Sequence, residues 1–340
     1  MPEEDVQVQL APVAEGGGDR PRAGGYVLSL FARSLVPGIL RALAERPLRL
    51  GDLREGLGWP AQTTLRTRLV GLVEIGAVDK RARGGMPHAV EHEPTALGRE
   101  LLFVADVLEA WLARSPHGPV ELESETARTR VKALAGGWQS AIVRALAGGP
   151  LTLTQLDDRI SGVNYPNLER RLDSMRATGL VEPAPGADRG TPYALTEWMR
   201  RGIAPVLAAI RCERRHLAEQ TSPATRIDVE AAFLLAIPLL EQPPASAGAC
   251  QLAVHFGSDG LPPAGVEVSV EGGGAASCIP RLGPEPPSWA LGPAPSWLDA
   301  VIDGSSKCLK IGGRDPRRSR KVACFTGTQS PPRSALRFPR

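Results

Sequence analysis

The sequence predicts an α+β protein: two helical modules of one design, each with a two-stranded ribbon, then a small unit of helix and strand, then a disordered tail. Three observations predict it. Displacing the chain by 103 residues without a gap pairs Ile39–Asp79 with Ile142–Glu182, and 14 of the 41 positions recur identically, among them Arg41, Pro47, Leu65, Leu69, Gly76 and Val78. From about Asp228 the helical period gives way to short alternating segments between Pro and Gly turns. After Gly313 the chain is rich in Arg, Ser and Pro and has no apolar period.

Both copies of the repeat read alike. Pro37–Glu45 and Trp138–Ala147 carry apolar residues at a helical period and end before Pro47 and Pro150, which cannot continue a helix. Short helices follow at Gly51–Leu57 and Thr154–Ile160, with Thr154 as the expected N-cap of the second. The third helices are Ala61–Ile75 and Asn164–Thr178, closed by Gly76 and Gly179. Leu65, Leu69 and Leu72, matched by Leu168, Leu172 and Met175, form a buried stripe at i, i+4, i+7. Strands are expected at Ala77–Arg83 with His88–Glu93, and at Leu180–Pro183 with Tyr193–Leu195. Closing helices begin at Thr95 and Thr196, the second running Glu197–Gln220, and Arg114–Glu123 is the linker between copies. Three helices, a ribbon and a closing helix make a winged helix-turn-helix, here in tandem. Beyond it come a helix near Asp228–Glu241, strands at Cys250–Phe256 and Val266–Val270, a helix at Ser296–Asp303 and a strand at Cys308–Ile311. The expected divisions are 1–24, disordered; 25–115 and 116–222, the two winged helices; 223–313, the small α+β domain; and 314–340, a disordered basic tail.

Composition removes several classes. The 340 residues are 42% apolar, enough for two or three packed domains, yet no run of 18 apolar residues exists to cross a membrane. Glu3, Glu4 and Asp5 stand where a secretory signal needs cations, so a cytoplasmic, nucleoid-associated location is expected. The five cysteines lie at least 16 residues apart with no C-x-x-C, which argues against a disulfide framework or a zinc cluster and for buried or incidental thiols. The net charge of +3 hides a segregation: 307–340 is +9 and the remainder is −6. Within that acidic body, Ile39–Arg83 is locally +4.

That local charge surrounds the first third helix. With Leu65 at the buried centre, 100° per residue puts Thr63 and Thr67 nearly opposite, Arg66 and Arg68 on the flanks, and Thr64 near the N-terminal end. Hydroxyls and cations without acids suit phosphates and base edges in a major groove. Lys80, Arg81 and Arg83 alternate along the wing, where they reach an adjacent phosphate backbone. A solvated polar face is the alternative. The second copy offers Asn164, Asn167, Arg170 and Arg171, with Arg189 as its wing cation, but Glu169 and Asp173 intrude, which leaves DNA contact and a purely architectural or dimer-forming role both open.

Catalytic patterns fail on context. His88-Ala89-Val90-Glu91-His92 fits H-x-x-E-H, but Pro87 and Pro94 bracket it and the repeat places it on a wing strand, where zinc chemistry has no shared helix face. Gly16-Gly17-Gly18 and Gly272-Gly273-Gly274 lack the Lys-Ser/Thr of a phosphate loop, and there is no nucleophile elbow. No enzyme, cofactor or metal is expected.

The second copy, from Trp138 through Gly149-Pro150-Leu151, Leu168-Glu169-Arg170-Arg171-Leu172 and Gly179-Leu180-Val181 to Pro192-Tyr193-Ala194-Leu195-Thr196, resembles the HxlR-type winged-helix transcriptional regulators, near the MarR group. The first copy is similar through Pro47-Leu48-Arg49-Leu50, Leu65-Arg66-Thr67-Arg68-Leu69 and Met86-Pro87-His88, with Val36 where the Trp would stand. The resemblance implies double-stranded DNA at an operator or promoter as partner, bound as a homodimer on a two-fold site. It implies recognition-helix contacts from Thr63, Thr64, Thr67 and Arg68 and from Asn164, Asn167, Arg170 and Arg171. The oxidant sensing of some members does not carry over, because no cysteine precedes Cys212.

Ser296-Trp297-Leu298-Asp299-Ala300-Val301-Ile302-Asp303-Gly304 and Leu309-Lys310-Ile311-Gly312-Gly313 resemble the sterol-carrier-like (SCP2-like) domain. That implies an apolar small-molecule ligand. The Arg314-Asp315-Pro316-Arg317-Arg318 continuation departs from that pattern, so the family's final amphipathic helix is expected to be missing and the tail reads as a replaced C-terminus. The function expected is a DNA-binding transcriptional regulator whose C-terminal domain senses a ligand or dimerises. The alternative is a small-apolar-ligand or protein-interaction module without sequence-specific DNA binding.

Overall fold

Helix α1 (Gly25–Phe31) and helix α2 (Val36–Glu45) each bury one face, and in α2 the stripe is Val36, Ile39, Leu40 and Leu43 at i, i+3, i+4, i+7. The computed structural model describes residues 22–83, 89–138, 140–160, 163–185, 190–240, 247–255, 264–272, 275–282 and 288–323. They fall into two compact units: one comprises Arg20–Ala135 and Pro205–Pro223, the other chiefly Gly136–Ala204 and Ala224–Arg340.

In the first unit, helix α3 (Leu50–Gly56) starts where the Asp52 carboxylate accepts the Arg49 N–H at 3.2 Å. Helix α4 (Gln62–Glu74) buries Leu65, Leu69 and Leu72. It stops at Gly76, whose φ of 75° lets the Gly76 N–H reach the Val73 carbonyl and the Ala77 N–H reach Leu72. Strands β1 (Val78–Arg83) and β2 (Ala89–Pro94) pair antiparallel, Val78 opposite Pro94, and Leu48 bridges to His92. Thr95 ties ribbon to helix: its hydroxyl donates to the Gly76 carbonyl at 2.7 Å and accepts the Gly98 N–H at 3.2 Å, capping α5 (Ala96–Leu112). A Cβ on Gly98 would lie 2.3 Å from the Ala77 carbonyl oxygen, so glycine is what lets α5 approach the ribbon. Helix α6 (Glu125–Gly137), capped by the Ser124 hydroxyl, is an addition to the sequence reading.

The other unit repeats the order. Helices α7 (Ala141–Ala147), α8 (Leu153–Arg159) and α9 (Tyr165–Ala177) precede antiparallel strands β3 (Val181–Pro183) and β4 (Tyr193–Leu195) and helix α10 (Glu197–Arg201). The hydrogen bonds recur as well. Gly179 stops α9 at φ 78°, Leu151 bridges to Tyr193, and the Thr196 hydroxyl donates to Gly179 and accepts the Met199 N–H at 3.0 Å. One expectation fails: Thr152, not Thr154, caps α8, because the Thr152 hydroxyl takes the Gln155 N–H while the Gln155 side chain takes the Thr152 N–H. The closing helix is also not continuous to Gln220. It breaks at Gly202 and resumes as α11 (Ile203–His216).

The stretch of α11 from Pro205 onward belongs to the first unit. There the buried Glu213 carboxylate accepts the Gly24 N–H at 2.6 Å and the Val27 N–H at 2.9 Å, compensating the open N-terminus of α1. Arg211 reaches Glu100 at 3.2 Å. Residues 22–24 are thus part of a packed structure, a correction to the disordered 1–24 expected; 1–21 lie outside the described residues.

Helix α12 (Arg226–Ala236) is buried from Asp228 to Ala236 and ends in a 3-10 turn, Ile237–Leu239. The strands β5 (Gly248–Val254), β6 (Ala264–Val270), β7 (Ala276–Ile279) and β8 (Ser288–Gly292), with helix α13 (Ala294–Asp303) and strand β9 (Lys310–Gly313), follow. They form one sheet, ordered β7-β6-β5-β8-β9, with β5 and β8 parallel and the other pairs antiparallel. Phe233 of α12 meets Trp297 of α13 edge-on at 4.7 Å, and the Trp297 N–H donates to the Ala253 carbonyl. Cys250 and Cys278 both lie in register with Val268 on the strand between them, so a whole strand separates their buried thiols.

Two readings of this region are corrected. Strands β7 and β8 went unread because each is short and flanked by Pro or Gly turns. The expected disorder of 314–340 fails for its first part: Pro316–Ala323 forms helix α14 and buries Ser319 and Val322 at an i, i+3 spacing obscured by surrounding Arg and Lys. A helix therefore follows Gly313 where none was expected, and 324–340 lie outside the described residues. Among the described residues no single helix is long and apolar enough to cross a membrane.

Candidate nucleic-acid interface

The buried stripe of α4 dictates what its other side presents. Thr63, Arg66 and Thr67 are exposed and Thr64 is half-buried, with no acid on the helix before Glu74. The Thr67 hydroxyl donates to the Thr63 carbonyl at 2.9 Å, which fixes its rotamer and leaves its oxygen lone pairs outward. Arg68 departs from its expected place on a solvent flank. It is half-buried, and its Nε is buried with no hydrogen-bond partner.

On the ribbon, Lys80 and Arg81 are exposed, but Arg81 is held by Glu93 of the facing strand at 2.7 Å. That pair is exposed at Arg81 and contributes little to stability, yet it offsets the cation that a phosphate would meet. Arg83 ends β1, and its side chain, like Arg189, lies outside the described residues. The H-x-x-E-H pattern dissolves here. Glu91 and His92 are neighbours on β2 and so face opposite sides of the ribbon, and His88 lies outside the described residues. Burial pushes the His92 imidazole below its ordinary pKa, and its Nδ1 is buried without a partner. Among the described residues no group of three His, Cys, Asp or Glu is arranged to hold a metal.

The polar side of α9 is internally connected instead. Asn164 caps the helix by accepting the Asn167 N–H at 3.1 Å, and the Asn167 side chain accepts from Arg170 at 2.9 Å. Asp173 pairs with Arg176 at 3.4 Å, while Arg171 is exposed. Three of the four predicted residues of this helix are thus linked to one another.

One residue was not singled out from sequence, and a second, Tyr165, was read only as a backbone contact at the helix start. Trp59, in the turn before α4, is 63% exposed, has a left-handed φ of 59°, and carries the Arg54 guanidinium 5.1 Å from its ring centroid. Its signal was available: an aromatic between Gly58 and Pro60 belongs to no apolar stripe. Tyr165, at the first turn of α9, is 43% exposed.

Residues 36–117 match the HxlR family model, an HxlR-like helix-turn-helix. The match begins at the first residue of α2 and runs past the end of α5, so the HxlR-like region takes in the helix-turn-helix, the ribbon and the closing helix. No curated protein matches the chain. The HxlR-like region is consistent with DNA-binding regulation and carries no catalytic constellation among its described residues.

Proposed function

We propose that the chain is a DNA-binding transcriptional regulator in which α4 enters the major groove and the β1–β2 ribbon lies on the flanking backbone. The observation that carries this reading is the exposed row Thr63, Arg66, Thr67 on a helix free of acids until Glu74, inside the HxlR-like region. The Thr63 hydroxyl and the Arg66 guanidinium match the acceptors of base edges and phosphates, the Thr67 oxygen is left to accept from a base-edge amino group, and Lys80 on the ribbon adds a cation beside them. The stretch α7 to α10 is the second winged helix of a tandem, so one chain supplies two recognition helices, as a dimer would. The C-terminal α+β part, SCP2-like in its motifs, serves ligand sensing or dimerisation.

Fluorescence anisotropy with promoter DNA from the chain's own or neighbouring genes tests the reading. Specific binding is expected to exceed binding to random DNA and to weaken steeply with salt. Equal binding to both, without salt dependence, overturns it. A second reading, a protein-interaction module carrying a small apolar ligand, is favoured by the exposed Glu169 and Asp173 on α9. Ligand co-purifying in native mass spectrometry, together with absent DNA binding, would decide for it.

A further inference from the structure

A cavity of about 650 Å³ lies along α4 on the side of α1, within the first unit. That volume is in the range of small-molecule sites, roughly 300–1,000 Å³. Its lining is chemically divided. Arg33, Arg66 and Arg68 contribute three cations against one acid, Glu74, while Leu30, Val36 and Ile75 supply an apolar wall. Arg68 lines this wall half-buried, with its Nε enclosed and without a hydrogen-bond partner. The α1–α2 turn that brings Arg33 to the wall passes through Leu35 at φ 69°, one of only two non-glycine residues with left-handed backbone among those described. Such strain persists where the surroundings over-determine it, and it concentrates at ligand sites and switches.

We propose that this cavity binds a small organic anion, an aromatic carboxylate whose ring lies on the apolar wall and whose carboxylate accepts from Arg68 and from Arg33 or Arg66. A planar carboxylate fits the guanidinium fork, and the apolar wall disfavours a bare inorganic ion. Thr63, Arg66 and Thr67 line the cavity and also form the exposed row of α4, so an occupied cavity and DNA compete for them. The competition rests on the DNA-binding reading; the site itself does not.

Calorimetric titration of the full chain with 2-naphthoate, against neutral 2-naphthamide, tests the site. The acid should bind at least tenfold tighter than the amide, and Arg68→Met and Arg33→Met should each cost the acid at least fivefold while leaving the amide unchanged. Arg33 is exposed, so its replacement leaves the packed interior intact. No binding of the acid, equal affinity for acid and amide, or unchanged affinity in both variants overturns the proposal. Saturating naphthoate should also weaken DNA binding at least fivefold, and unchanged DNA affinity overturns the competition. A chain that binds naphthoate in this pattern but no DNA keeps the site and loses the regulator; one that binds DNA but no naphthoate does the reverse.

Discussion

Arg41 and Arg144 stand at the same position of the internal repeat, 103 residues apart, and meet different partners. Arg41 pairs with Glu109 of α5 at 2.6 Å, with both side chains about two-fifths exposed. Arg144 points one nitrogen at both carboxylate oxygens of Glu230 in α12, each 3.1 Å away, and both side chains are only 6% exposed. The helix packed on α2 is thus the closing helix of its own repeat, whereas α7 is covered by a helix from beyond the repeat. One sequence position therefore serves as a solvated tether in the first repeat and as a buried clamp in the second. The exposed helix faces divide likewise: α4 leaves Thr63 and Arg66 outward, while α9 spends Asn164, Asn167 and Arg170 on one another.

The largest effect should come from the clamp. Glu230→Ala leaves Arg144 buried and uncompensated and is expected to cost about 3–5 kcal/mol in urea unfolding, whereas Glu109→Ala should cost about 0.2–1 kcal/mol. Equal costs would erase the distinction. A smaller effect is expected on DNA: Arg66→Ala should lose about 1–3 kcal/mol of binding in anisotropy titrations, and Arg170→Ala clearly less. An equal loss at Arg170 would place both repeats on the duplex alike.

The smallest effect concerns the bridge residues, His92 in one repeat and Tyr193 in the other. The folded His92 pKa lies below the ordinary value of 6.5, so below pH 6.5 the unfolded chain takes up the proton first. Stability contributed here is complete above pH 6.5 and is lost as pH falls toward the folded value, at no more than about 1.4 kcal/mol per pH unit. His92→Tyr should flatten thermal melts between pH 7 and 5.5, and an unchanged slope would show that other groups carry the acid sensitivity.

The element order of both repeats was legible because each signal was local: a leucine stripe, a proline after the helix, a glycine at the stop. The exposure of Thr63, Arg66 and Thr67 followed from the same stripe. What escaped depended on distant partners. Arg68 lies on the flank of the helical wheel, but its half-burial is set by tertiary packing around α4, which the wheel does not contain. Helix α14 was hidden because its buried face is only Ser319 and Val322 amid cations. Similarly, no spacing rule pairs Arg144 with Glu230, 86 residues away.

The return of α11 also has a consequence for synthesis. Glu213 closes the N-terminus of α1 across 189 residues, so the first unit cannot be completed until the whole second repeat has left the ribosome. Nascent chains halted near residue 135 would expose the apolar surface that α11 later covers, and closure across that separation raises the contact order of this unit.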